Sequence, residues 1–380
     1  MSEKLRQQLA AGLAEPALQA LSDLQLPQSR TEAWRYSPLR ALERALAGSP
    51  SVLPAAPAIE LGDEPGSAEW PNWRDQPAEL TPPGPADQAL RWLAAASGAA
   101  EIVLAGEHAQ PLRIDALAGL SATAPHRHRR VRVEAGAQLV VIEHWRDSGL
   151  PLANLLTEIE VGAGAQLTWL RLVEGSTALH GIARSEFRLA ERAQLQHYTL
   201  ELDAAWSRHD LRIELAGRDS RARSFGLLPV ASRRHADTQL AIIHAVGHTQ
   251  SESRWRAVAA DRSRAVFNGR IQIDAGADDS DAALHIGSLL LSNRAEIDAK
   301  PELEIYADAV KASHGAAIGQ LDPQALFYLR SRGLPQAQAR QLLMNAWCRE
   351  ALEGLPPALL EAIEPRLAAA LARLDDGDKA

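Results

Sequence analysis

His314 stands between Ser313 and Gly315, at the end of the alternating apolar–polar run LEIYADAVKA (303–312). A neutral imidazole is a good ligand for borderline metals such as iron, and histidine can replace cysteine on a cluster iron. Glu302 and Glu304, two apart, share one face of a strand; they offer hard oxygen contacts for iron, against the simpler reading of a solvated face. Lys300 and Lys311 flank the same stretch in a chain whose only other lysines are Lys4 and Lys379. A compact ammonium there is not interchangeable with the arginine used elsewhere, although drift explains it equally well. His244 and His248 would share a face of a strand or a helix, but two imidazoles alone make an incomplete metal site. The run HRHRRVR (126–132) is basic enough to hold a phosphate, with a solvated strand edge or turn as the plainer reading. Asp278, Asp279 and Asp281 form the densest carboxylate cluster, in a turn-like setting after Gly276.

Cys348 is the only cysteine. Disulfides and cysteine-based zinc sites within one chain are thereby excluded, as is an iron–sulfur cluster held by this chain's thiolates alone. Its helical setting, QLLMNAWCREAL, predicts a buried, inert thiol. Any metal chemistry must borrow ligands from another chain. Enzyme motifs are scarce: there is no Gly-Lys dipeptide for a phosphate loop, no G-x-S-x-G elbow, and no G-x-G-x-x-G opening a helix after a strand. A net charge of -8 argues against a nucleic-acid partner. The first residues, MSEKLRQQLAAGLAEP, lack the apolar core of a secretory signal, and no stretch approaches the roughly 18 apolar residues of a membrane span. A cytoplasmic protein is the expectation.

Three regions must position these residues. Residues 1–99 read as an N-terminal helical region around SRTEAWRYSPLRALERAL (29–46), with a proline-rich linker at 49–85 and a short helix at 86–98. Residues 100–322 carry a repeat. VRVEAGAQLVVI (131–142), IEVGAGAQLTWL (159–170) and FRLAERAQLQHY (187–198) align on Ala137, Ala165 and Ala193, 28 residues apart. A weaker copy, IELAGRDSRARS (213–224), follows after 26, and later ones begin at Ile271 and Leu303. Each copy is two alternating runs around a small-residue corner, the signature of half-buried strands. The period suits one coil of a parallel β-helix, and the L-x-x-L-x-L-x-x-N spacing of a leucine-rich repeat is absent. The fold class is therefore mainly β: a right-handed parallel β-helix core flanked by N-terminal and C-terminal α-helical units. Residues 323–380 form the C-terminal helical domain, with Asp322 as N-cap, Pro323 as first helical residue and Gly333 as C-cap. These helices are placed to cover the end coil as well as to bind a partner.

The segment NRAEIDAKPELEIYADAVKASHGAAIGQLDPQALFYLRSRGL (293–334) resembles the C-terminal signature of the SufB/SufD family. TEAWRYSPL (31–39), RAVFNGRIQID (264–274) and SLLLS (288–292) resemble further elements of that family, so the likeness spans nearly the whole chain. The N-terminal helical element and the single cysteine look like the SufD branch. The resemblance implies a non-catalytic scaffold of the SUF system. It would pair with a SufB-like β-helix subunit and bind a SufC-like ATPase through the C-terminal helices. Nascent Fe–S clusters would be built transiently at the shared interface, with His314 as a metal ligand there. A homodimer in isolation is a further expectation, and a flavin on the complex is left open. Ala312 stands where the family often has cysteine, and Ala309 where it often has a second aspartate, which leaves His314 the only soft-to-borderline ligand in its run. The competing readings are a β-helix carbohydrate-active enzyme, which needs carboxylates clustered in a groove, and a metal-free assembly or adhesion module.

Overall fold

The computed structural model describes residues 89–375 apart from 109, 119, 121–124, 147–149, 151 and 175. N-terminal of these it describes 9–11, 31–36, 74–76 and three leucines, Leu13, Leu18 and Leu26. Most of the predicted N-terminal helical region and nearly all of the proline-rich stretch lie outside the described residues.

Strand β1 (Arg74–Gln76) runs antiparallel to β2 (Ala99–Leu104), and every later pairing is parallel. From β2 onward the chain alternates between two sheets. β2, β4 (His126–Val133) and each following even strand to β16 (Glu296–Ile305) form one sheet. β3 (Leu112–Asp115), β5 (Gln138–Trp145) and each odd strand to β17 (Lys311–Gly319) form the other. This is the predicted parallel β-solenoid.

The repeat becomes a stack. Gln138, Gln166 and Gln194 are register partners in successive coils, as are Leu139, Leu167 and Leu195. On the facing sheet Val131, Ile159, Phe187, Ile213, Ile242, Ile271 and Leu303 form one column. Each coil thus buries its inward side chains on the coils above and below, as no coil could alone. The column includes a coil around Ile242 that the sequence reading passes over, because IIHAVGHTQSES lacks the Ala-Gln-Leu marker.

The even-to-odd corner of each described coil before the last carries a left-handed residue. Gly136 and Gly164 supply it at φ 71° and 66°, where glycine pays no steric penalty. In later coils Arg192, Asp219, His248 and Asp279 take the same place at φ 58° to 61°. The amides of Gly136, Gly164, Arg192, His248 and Asp279 each donate to a carbonyl of the next coil, at 2.7–3.0 Å. That bond holds non-glycine residues in a conformation they otherwise avoid.

Three C-terminal helices follow: α2 (Pro323–Ser331), α3 (Gln336–Arg349) and α4 (Pro357–Asp375), after the short α1 (Ala89–Ala95) that precedes β2. Asp322 caps α2 by accepting from the Gln324 amide at 2.8 Å, and Gly333 follows it at φ 93°. The expectation that these helices cover the end coil is corrected. α4 lays Leu359, Ile363, Leu367 and Leu371 along the outward face of the odd sheet, on Leu170, Leu172, Leu200 and Leu227. The physical reason is that these odd strands are apolar on both faces: Leu167 and Trp169 point into the lumen while Leu170 and Leu172 point out. The outward stripe demands burial, and the helices supply it.

Five histidines are kept uncharged by desolvation. It pushes His126 and His244 down to about 4 and His197 and His235 to about 3, from an ordinary 6.5, and His209 well below that value. Below pH 6.5 the unfolded chain binds protons that the folded chain refuses, so stability falls as pH drops through the window from 6.5 toward 3–4. The slope is about 1.4 kcal/mol per pH unit for each such histidine. The urea midpoint measured at pH 5 is expected well below that at pH 7.5; a flat profile would contradict burial of neutral rings.

Candidate functional site

Among the described residues β16 pairs only with β14 (Arg264–Ile273), and β17 only with β15 (Asp281–Leu290). The last coil therefore presents two strand edges to solvent. Such an edge is a template for another chain unless it is blunted or covered. Ile305, Tyr306 and Ile318 are exposed beside these edges, at 44%, 64% and 54%.

His314 lies on β17 as the register partner of Leu284, a lumen residue. Ala312, on the same face, packs against the lumen core. Gly315 faces the other way: a Cβ added there would meet His285 Nδ1 at 3.2 Å, on the outer surface. His314 is consequently turned toward the lumen axis, yet it is exposed because no further coil lies above it. The partly buried side chains that pack on the lumen core at this mouth are small or apolar: Ala299 and Leu303 on β16, and Ala312 on β17.

Glu302 and Glu304 do not converge with it. They alternate with the lumen residue Leu303, so both face outward on the even sheet. Glu302 accepts from Lys300 at 2.7 Å, and Glu304 from Arg270 at 3.3 Å. Lys300 also reaches Glu32 at 3.2 Å, and these two hydrogen-bonded carboxylates raise its pKa. A compact ammonium is therefore a bridge between the N-terminal EAWRY segment and the last even strand. The same segment places Trp34, almost fully buried, against the Arg208 guanidinium at 4.0 Å, and Tyr36 near Arg264 at 5.7 Å.

The other sequence candidates resolve as structure. His244 is buried, with its ring nitrogens 2.7 Å from Thr249 Oγ1 and 2.8 Å from Ser251 Oγ, whereas His248 turns a corner 3.5 Å from Asp279. The run 126–132 is neither a phosphate site nor a solvated edge; it is β4, an interior strand of the even sheet. His126 bonds the Leu9 carbonyl at 2.8 Å, His128 bonds Glu158 at 2.8 Å, and buried Arg129 donates to the Ala116 carbonyl at 2.7 Å. Asp278, Asp279 and Asp281 belong to a corner: Asp278 accepts from the Ala309 amide at 3.3 Å, Asp279 is left-handed, and Asp281 opens β15. Cys348 is fully buried, and desolvation pushes its thiol up to about 12. Among the described residues no three His, Cys, Asp or Glu side chains converge on a metal position.

Two surfaces escape the search for chemical residue types. α2 buries none of its side chains, and Phe327 and Tyr328 are 73% and 56% exposed. A cleft of about 620 Å³ runs between α3 and the outer face of β17, floored by Gly315, Ala317 and Gly319 and walled by Arg256 and Trp347. Among the described residues no helix is long and apolar enough to cross a membrane.

An open-ended parallel solenoid, braced along one side by helices and with His314 at its mouth, is the fold of a parallel β-helix protein. The family model described as SUF system FeS cluster assembly, SufBD core domain, matches residues 116–347, and the chain belongs to the SufBD family. It is 33% identical over 241 residues to the iron–sulfur cluster assembly protein SufD of Escherichia coli (strain K12), covering 63% of this chain and 57% of that one. A SufBD family protein of Synechocystis is 33% identical over 208 residues, 55% of this chain and 46% of its own. These two alignments span about half the length of each relative. A SufBD family protein of Mycobacterium tuberculosis (strain ATCC 25618 / H37Rv) is 27% identical over 362 residues, 91% of this chain and 89% of its own.

The column Leu284–His314 gives a paired test of the open mouth. Leu284→Ala, inside the lumen, is expected to cost about 2–5 kcal/mol. His314→Ala, one coil further on, is expected to change stability by less than about 0.5 kcal/mol. Urea unfolding of both variants reads the contrast.

Proposed function

We propose that this chain is a non-catalytic scaffold subunit of iron–sulfur cluster assembly, working in the cytoplasm. In this reading it pairs end to end with a SufB-like solenoid through β16 and β17. The observation that carries it is the open last coil with His314 turned toward the lumen axis. A partner strand pair seated on these edges would continue both sheets and satisfy their free backbone groups. It would also enclose His314 between two coils, changing an exposed imidazole into one held in a dry, shaped site. Iron and sulfide of the nascent cluster are substrate here, not a resident cofactor. The imidazole would donate to iron, while thiolates come from the partner, because Cys348 is buried and protonated. The same edges would let two copies of this chain pair when the partner is missing.

The reading extends to an ATPase of the SufC type on α2 and α3. Its support is the exposed Phe327 and Tyr328 on α2, and Leu342, 50% exposed, on the α3 that follows. Removing residues 323–380 would not test this cleanly, since α4 covers the apolar outer face of the solenoid. Surface variants do.

With SufB and SufC partners co-expressed, His314→Ala is expected to leave the complex intact on size exclusion. Cluster yield, read by absorbance and iron content, should fall at least about tenfold. Undiminished yield would make His314 a bystander. Ile318→Asp should separate the two solenoids and leave the ATPase bound. Phe327→Ala with Tyr328→Ala should do the reverse, and ATPase retention by that double variant would refute the docking surface.

A further inference from the structure

Three consecutive coils carry a cluster of buried, neutral polar side chains on the inward face of both sheets. On the odd sheet His197, Ser224 and Ser253 stack in register. On the even sheet His209 and Thr238 face them as register partners, and the rings of His197 and His209 are 6.0 Å apart between centroids. All five side chains are fully buried. Both ring nitrogens of His197, Nδ1 of His209, and the hydroxyls of Ser224, Thr238 and Ser253 make no hydrogen bond to the described residues. Thr199, two residues beyond His197 on the same face, is in the same position. Only His209 Nε2 is met, by Ser185 Oγ at 3.1 Å.

Protein interiors satisfy more than about nine in ten of their buried polar groups. Seven unmet atoms within one short length of lumen therefore point to a ligand that both donates and accepts. We propose that this length of the lumen is a hydrated chamber, in which a chain of ordered water molecules bridges His197 and His209 to the three hydroxyls. A charged occupant is disfavoured. Burial keeps both rings neutral, and the charge of Arg171 at the margin is balanced by buried Glu201, although Arg171 Nε and Nη2 and Glu201 Oε2 meet no further partner among the described residues. Water needs two to four partners per molecule, and a ladder of hydroxyls and imidazoles supplies them.

On one side of the chamber Trp169 precedes His197 in the odd column, edge to face with Phe187 at 5.7 Å, while on the even sheet Ser185, which meets His209, pairs one coil earlier with Thr157, also buried. On the other, Phe267 follows Thr238 and Leu284 follows Ser253 in their columns. The plug at Leu284 separates the chamber from His314. It is a pocket of structural water, not a conduit to the mouth.

The test is a double variant of the full chain, Thr238→Val with Ser253→Ala. If the chamber is wet, deleting these hydroxyls strips partners from bound water. The urea midpoint should fall, and the amplitude of the water-deuteron magnetic relaxation dispersion, which counts long-lived internal waters, should drop by a third or more. If the lumen is dry, the variant removes unmet polar groups; the midpoint should rise with the dispersion unchanged, and the proposal is overturned. Should the variant fail to fold, a crystal structure of the native chain decides. Density within hydrogen-bonding distance of the His197 ring nitrogens supports the chamber, and side chains closed upon one another with none between them overturn it.

Discussion

Everything in this molecule rests on register between coils. A solenoid coil has no core of its own; its inward side chains are buried only by the coil before and the coil after. The parallel ladder enforces that stacking, since a slip of one residue would turn every inward side chain outward. It also makes the two ends chemically unlike the middle. At the first coil the antiparallel β1 lies on the even edge. At the last coil nothing described covers either edge, and the site follows directly. His314 is remarkable only for its position: the same column holds Leu284 one coil earlier and Ser253 before that.

The coils differ in length, and much of the difference falls at one corner. Register partners are 28 residues apart from Val131 to Ile159 but 32 apart from Ile271 to Leu303. The extra residues carry the carboxylates Asp278 and Asp279, which explains a cluster that resembles chemistry in the sequence and serves as a turn in the structure. Lys300 shows the opposite case. A residue type that composition alone cannot interpret becomes a bridge to Glu32 once the N-terminal segment is seen lying across the even sheet.

Much of this was legible in the order of residues. The Ala-Gln-Leu marker revealed the solenoid because three coils share one corner and one register. It failed at the coil around Ile242, where Thr249, Gln250 and Ser251 stand in the place of Ala-Gln-Leu. Alternation suggested half-buried strands, but the odd strands bury both faces, which pattern alone could not distinguish from a core helix segment. The position of the C-terminal helices was misjudged for that reason: an outward stripe such as Leu170 and Leu172 is visible only once its inward neighbours are known. His314 was found through a motif, not through pattern, and its direction toward the lumen required the register. The buried ladder of His197, Ser224 and Ser253 gave no signal, since polar residues spread 27 and 29 positions apart look like ordinary surface.

The brace along the odd sheet has a mechanical meaning. Stacked repeats ordinarily unravel from their ends, one unit at a time, because each is coupled only to its neighbours. Here the apolar side of α3 and α4 joins one cluster with residues from Ile142 on β5 to Leu289 on β15, so those coils cannot peel away singly without also releasing the helices. The splint converts a fraying stack into a single cooperative body. β16 and β17 contribute no residue to that cluster, so the coil that carries His314 is left outside the splint.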